Sequence, residues 1–533
     1  MNYVCKRHSV FALTILSGIV LVLSGCGAGT PAGKSTISSA GIRLPSIISD
    51  NMVLQQGEGD NTPIWGWADP GKKITITASW GGKWKATSDA NGNWMVKIKP
   101  GKAGGPYEMT ISDGNPITLK NILVGEVWVC SGQSNMEFTV KQANNSAQEI
   151  ADANNYPQIR SFNVGRKVIY TPMHNCNGKW QVCSSQTAGN FTAVGYFFGR
   201  ELNKQLNVPI GLIHTSWGGT PAESWMSREY LENDPNFQPI LKRFEETSAN
   251  IVELKKKYRE EMQKYDSISP KLKAEGKPLP PRPEEPIGPG HAYSPTGLYN
   301  GMIVPILPYG ICGAIWYQGE SNAWRAYQYR TLFPAMIKNW RDAWHQGDFP
   351  FYFVQLANYD EVNPEPVESD WAELREAQLM TLSVPNTGMA VTIDIGEKDI
   401  HPKNKQDVGK RLALWALAKT YGKNIVYSGP IYRLMEVQEN KAVLHFENIG
   451  GGLMAKGDSL KGFAIAGADR KFVWADANIE GNTVVVSSDK VNVPVAVRYA
   501  WEKNPVCNLY NKEGLPATPF RTDTWPGVTD SRR

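Results

Sequence analysis

Four short stretches of this 533-residue sequence carry side chains that could do hydrolytic chemistry together. The first is Gly132-Gln133-Ser134-Asn135-Met136, which follows the apolar run 122–130. A serine just past the carboxyl end of a buried strand lies in the ligand crevice. There the next helix N-terminus lends backbone N–H groups to an oxyanion. The same position also suits an ordinary helix N-cap. Met136 departs from the Gly-x-Ser-x-Gly nucleophile elbow, which disfavours the α/β-hydrolase form.

A nucleophilic serine needs a base. Beyond the amino-terminal segment the histidines are His174, His214, His291, His345, His401 and His445. His401 stands in a polar loop, Asp394-Ile395-Gly396-Glu397-Lys398-Asp399-Ile400-His401-Pro402, with Asp399 near enough to orient its imidazole. The others have weaker claims. His345 falls in a helical pattern, His445 in a strand pattern and His174 in the expected disulfide hairpin, while His214 ends a strand and suits the core. His291 could line a site.

Two further loops follow apolar strands. Thr215-Ser216-Trp217-Gly218-Gly219-Thr220 offers a Gly-Gly turn whose N–H groups could face an oxyanion, and Trp316-Tyr317-Gln318-Gly319-Glu320-Ser321-Asn322 offers amides and a carboxylate.

The surrounding texture says what must position these loops. Residues 42–120 alternate with period two between turn signals such as Asp69-Pro70-Gly71, which predicts a small β-sandwich. From 121 on, the apolar runs 122–130, 209–215, 311–317, 350–356 and 388–393 alternate with helical patterns. That alternation predicts an α/β region whose parallel sheet is covered on both faces, over 121–230 and 293–425. A charged and Pro-rich stretch, 231–292, interrupts it as a surface excursion. Residues 426–533 return to strands, a second small β domain.

Taken in order, Gly132-Gln133-Ser134-Asn135-Met136, Ser216-Trp217-Gly218-Gly219-Thr220, Gln318-Gly319-Glu320-Ser321-Asn322 and Asp399-Ile400-His401-Pro402 resemble the sialate O-acetylesterase type of SGNH hydrolase. The resemblance extends over most of the chain, including Leu298-Tyr299-Asn300-Gly301-Met302. It implies a flavodoxin-like three-layer αβα catalytic domain flanked by small β domains, and deacetylation without a metal or other cofactor. It makes Ser134 the nucleophile and His401 the base. The oxyanion hole would combine the Ser134 N–H, the Gly219 N–H with Gly218 as near alternative, and an amide from Gln318 or Asn322, with Gln133 beside them. The acid is Asp399 or Glu320, since many SGNH enzymes place Asp three residues before the histidine and here that position is Lys398. Arg325 or Arg375 could pair with a sugar carboxylate. Gly457-Asp458-Ser459-Leu460 spells the wider family's motif, but it follows the histidine in a β region and reads as a turn.

The first 25 residues read as a secretory signal peptide. Lys6 and Arg7 precede an apolar run, 10–23, whose 14 residues would rise only about 21 Å as a helix. Leu23-Ser24-Gly25-Cys26 resembles a bacterial lipobox, so Cys26 is the expected lipidation site, 26–41 a flexible tether and the outer membrane the expected residence. In that oxidising setting Cys176 and Cys183, which flank Asn177-Gly178, are expected to form a local disulfide. No Cys-x-x-Cys or His-Glu-x-x-His spacing supports zinc. Lys+Arg 56 against Asp+Glu 51, scattered along the chain, gives no footprint for nucleic acid. With 41% hydrophobic and 20% charged residues the chain is globular rather than disordered.

The expected partner is therefore an O-acetylated sugar, a sialic acid first and acetylated xylan second. A lipid-anchored sugar-binding protein without catalysis is the rival class. The presence of both Ser134 and His401 in their motif settings speaks against it.

Overall fold

A computed structural model describes residues 41–57, 59 and 61–533. The signal peptide, Cys26 and the tether up to residue 40 lie outside the described residues.

Strand β1 (Pro116–Gly132) organises the fold. Its first residues alternate between exposed and covered, whereas 122–132 are buried without a break. That is the signature of a half-solvated antiparallel strand becoming a central parallel one. Asn121, in a left-handed conformation (φ 55°), marks the change. The first half pairs antiparallel with Gly104–Ser112 of the amino-terminal β region. The second half pairs parallel on both edges. The boundary expected at 120/121 therefore falls inside one continuous strand.

Around it lie β2 (Ile159–Asn163), β3 (Trp180–Val182), β4 (Ile210–Ser216), β5 (Gly313–Tyr317), β6 (Phe351–Val354) and β7 (Thr387–Ala390). Their order is β7–β6–β5–β1–β4–β2–β3, all parallel except β3 against β2. Side chains alternate across this sheet. Trp128 meets Phe198 of the helix Ala193–Leu206 and stacks on Tyr352. On the other face Trp316 stacks on Phe333 of the helix Ala326–Trp344, which also meets Phe353. Helices thus cover both faces, as the alternating pattern predicts.

The excursion is a pair of helices, Gln238–Ala249 and Ile251–Ala274, broken at Asn250, followed by a stretch without regular structure. Residues 426–533 form antiparallel strands, among them Ile431–Gln438, Lys441–Glu447, Phe463–Ala466 and Ala496–Tyr499. Gly457-Asp458-Ser459-Leu460 is a bend there, its Ser459 carbonyl accepting from Asn508 at 2.8 Å. Among the described residues no helix is long and apolar enough to cross a membrane.

The expected Cys176–Cys183 disulfide is not formed; both are buried free thiols. Asn177-Gly178 makes no hairpin. Gly178 is outside the left-handed region, and the Asn177 carbonyl accepts from Gly165 N–H at 2.7 Å, so the segment runs alongside 163–165 into β3. Cys183 Sγ faces the Ala153 carbonyl at 3.5 Å instead. Burial pushes the thiols up, to about 11 for Cys176 and about 12 for Cys183.

Candidate active site

Strands β4, β1 and β5 end in register, with Ser216 and Tyr317 both paired to Gly132. The loops they release therefore emerge side by side at the carboxyl edge of the sheet, on either side of its first strand, where open α/β sheets bind ligands. Gly132 makes the turn possible. Its φ is 139°, and a Cβ there would lie 2.1 Å from the Tyr317 carbonyl oxygen. Gln133 N–H donates to that carbonyl at 3.0 Å, and Ser134 opens the short helix Ser134–Glu137.

His401 arrives from the loop after β7. Arg411 clamps that loop through Asp394, at 2.6 and 2.8 Å, and through the Val391 carbonyl at 2.6 Å. The Ile400 carbonyl accepts from Asn135 Nδ2 at 3.0 Å. His401 Nε2 then stands 2.9 Å from Ser134 Oγ, across 267 positions of sequence. Asp399 Oδ1 is 3.2 Å from His401 Nδ1 and accepts the His401 backbone N–H at 2.8 Å. Glu320 reaches a different partner: its Oε1 accepts from Asn135 Nδ2 at 2.7 Å, while Oε2 is sheltered and unpaired. Serine, imidazole and carboxylate in that relation can transfer an acyl group.

The oxyanion donors narrow. Gly218 N–H is already given to Glu137 Oε2 at 2.6 Å, so Gly218 is not the alternative donor. Gly219 takes a left-handed φ of 76°, and Tyr293 OH occupies the space a Cβ would need, 1.8 Å away. Its carbonyl is held by Ser321 Oγ at 2.6 Å. Gln318 and Asn322 also depart from expectation. Gln318 Nε2 donates to Asn322 Oδ1 at 2.6 Å and the Thr220 carbonyl at 3.3 Å. Asn322 Nδ2 donates to Glu223 at 3.1 Å. Both amides are fully buried and spend these hydrogen bonds bracing the Gly219-Thr220 turn and Glu223. Gln133 Oε1 accepts from Gly319 and Ser321 N–H at 3.3 and 3.4 Å, tying two of the loops together.

The two arginines are spent elsewhere as well. Arg325 is buried and ion-paired with Glu223, with Gln328 at 2.6 Å. Arg375 donates to the carbonyls of Leu356, Ala357, Glu502 and Lys503, at 2.6 to 2.9 Å, joining the catalytic layer to the carboxyl-terminal strands. Among the other histidines, His214 is a core residue, 2.5 Å from Ser216 Oγ and pushed down to about 4 by burial. Among the described residues no group of three His, Cys, Asp or Glu side chains is placed to hold a metal ion.

A family profile described as carbohydrate esterase, sialic acid-specific acetylesterase, matches residues 124–256 and 295–418. A sialate O-acetylesterase of Mus musculus is 32% identical over 94% of this chain and 97% of its own length. The chain belongs to the sialate O-acetylesterase family. The human sialate O-acetylesterase is likewise 32% identical, over 91% of this chain and 94% of its own. A crystal structure of a carbohydrate acetylesterase from Xanthomonas citri superposes with a TM-score of 0.77, at 39% identity, covering 91% of this chain and all of that one. This family member is a carboxylic ester hydrolase, and residues 257–294, which include most of the excursion, fall between the two matched segments.

One part of the site escaped the reading of the sequence. Lys405 is wholly buried, donating to Asn135 Oδ1 at 2.6 Å, with Phe138 and Tyr317 rings beside it. Asn135 thereby ties the Ser134 turn to Glu320, Ile400 and Lys405 at once. Burial holds the Lys405 ammonium down to about 7 and pushes the Glu320 carboxyl up. The unfolded lysine stays protonated to about 10.4. Below about 7 both states carry the proton and the fold bears the cost of a buried ammonium. Between the two values the unfolded chain binds a proton that the native one does not, so stability rises with pH. Relative to Lys405→Met, the protein should gain up to roughly 2 kcal/mol in unfolding free energy between about pH 7 and about pH 9. Parallel urea titrations of the two at both pH values measure it.

Proposed function

We propose that this protein is a serine esterase of the SGNH type that removes O-acetyl groups from sugars, O-acetylated sialic acids foremost, through an acyl-enzyme. The observation that carries the reading is His401 Nε2 at 2.9 Å from Ser134 Oγ, with Asp399 behind the imidazole. Ser134 Oγ attacks the acetyl carbonyl and its proton passes to His401 Nε2. The oxyanion is taken by the N–H groups of Ser134 and Gly219. Collapse breaks the ester bond, and His401 returns the proton to the departing sugar oxygen. Water, deprotonated by the same imidazole, then attacks the acetyl-serine, the acetyl–Oγ bond breaks, and the proton passes from His401 to Ser134 Oγ as acetate leaves. The names of the relatives support sialic acids as the substrate class. In this reading 42–120 and 426–533 are β domains accessory to an esterase spanning 121–230 and 293–425.

Acetate release by the purified protein, from O-acetylated sialic acid and from acetylxylan side by side, tests the reading. Release from the sialic acid in preference is expected. Preference for xylan would keep the mechanism and move the substrate, and no release from either, or from aryl acetates, would overturn it.

A further inference from the structure

The turn after β4 is built from the residues least able to hold a shape. Gly218 and Gly219 stand side by side there, and two consecutive glycines give a backbone its widest freedom. In the mechanism proposed above the Gly219 N–H is an oxyanion donor. Such a donor contributes most when it is fixed before the reaction begins, so this turn needs restraint from outside itself.

Two side chains bracket the peptide whose N–H belongs to Gly219. After it, Ser321 Oγ donates to the Gly219 carbonyl at 2.6 Å. Before it, Glu137 Oε2 accepts the Gly218 N–H at 2.6 Å. Glu137 is the last residue of the short helix that Ser134 opens, so its bond ties the turn to the segment carrying the serine. The two lie close together: a Cβ added at Gly218 would stand 3.4 Å from both Glu137 Oε2 and Ser134 Cβ.

A carboxylate here would oppose negative charge developing beside it. Arg166 offsets that charge. It pairs with Glu137 Oε1, and its guanidinium lies over the Trp217 ring, 5.3 Å from the centroid.

We propose that Glu137 is a positioning residue for ester hydrolysis, holding the Gly218-Gly219 turn against the Ser134 helix so that the Ser134 and Gly219 N–H groups meet one oxyanion. The inference rests on the esterase reading above. Glu137 acts through the Gly218 N–H and not by proton transfer, with Arg166 as its counter-ion.

Stopped-flow hydrolysis of an aryl acetate by the protein and by Glu137→Ala, Glu137→Gln and Arg166→Met tests this. Rates are expressed per serine titrated to completion with a fluorophosphonate, which counts the correctly assembled sites. Acylation and deacylation both pass through an oxyanion, so Glu137→Ala should slow the burst and the steady rate alike, by roughly ten- to a hundredfold, part of the effect of losing a whole donor. KM should stay within about twofold. Glu137→Gln keeps an acceptor for the Gly218 N–H and should recover most of the rate. Arg166→Met should lose roughly two- to fivefold, because its side chain is 45% exposed and such ion pairs are weak. A full rate per titrated site in Glu137→Ala, or a loss confined to KM or to the number of titratable sites, would overturn the inference and leave the esterase standing. A loss in Glu137→Gln as large as in Glu137→Ala would overturn it too. No hydrolysis and no titratable serine in the parent protein would overturn the esterase reading with it.

Discussion

Replacing Ser134 with Ala is expected to lower kcat for acetyl ester hydrolysis by roughly 10⁴–10⁶, with thermal stability unchanged. The expectation follows from how the group is built. Ser134 Oγ has His401 Nε2 as its partner at 2.9 Å, so the methyl that replaces it strands no deeply buried donor. The turn itself is held by backbone bonds, Gln133 N–H to Tyr317 and Phe138 N–H to the Ser134 carbonyl, which alanine retains. What disappears is the covalent path. In the proposed mechanism nucleophile and base act as a unit, so His401→Ala should cost a similar factor, and the double variant little more than either alone. A residue of hydrolysis over water survives in all three, because the Ser134 and Gly219 N–H groups are main-chain donors and remain. Burst kinetics with an aryl acetate provide the check: an initial burst of one equivalent per chain with the parent protein, and none with Ser134→Ala. A persistent burst in that variant would place the acyl group on another residue.

What the sequence disclosed and what it hid differ in range. The loops bearing Ser134, Gly219 and Glu320 were legible because each follows a short apolar run, and such runs align in a parallel sheet. The register of Ser216 and Tyr317 on Gly132 does the rest. His401 was legible from its polar loop and neighbouring Asp399. Features set by long-range packing were not. Nothing in the local pattern of 116–132 says that one strand serves two sheets, since the change is a matter of which neighbours cover each half. The Asn177-Gly178 pair looks like a turn, yet pairing with Gly165 extends it and parts Cys176 from Cys183. Arg325 could not be seen as spent without Glu223, 102 positions away. Nor could Gln318 and Asn322 be seen to bond to each other. Lys405 is the sharpest case. A lysine at a helix start normally reads as exposed, and only the meeting of Asn135, Phe138 and Tyr317 buries it.

The choice of acid between Asp399 and Glu320 turns into a second large effect. Asp399→Asn is expected to lower kcat by roughly 10²–10⁴, and Glu320→Gln by no more than about tenfold. Asp399 Oδ1 meets both the ring Nδ1 and the backbone N–H of His401, so it fixes the tautomer that leaves Nε2 free to accept the serine proton. In the proposed mechanism it also stabilises the imidazolium formed in the transition state. Its side chain is 68% exposed, and water screens the charge, which places the loss toward the lower end of that range. Glu320 supports the site at one remove. Its Oε1 accepts from Asn135, a bond that glutamine retains, while its Oε2 has no partner to lose. The ratio of the two kcat values, measured on one acetyl ester, separates the two roles. The opposite ranking, a large loss only on changing Glu320, would transfer the acid to the loop after β5 and leave Asp399 as a capping residue of its own loop.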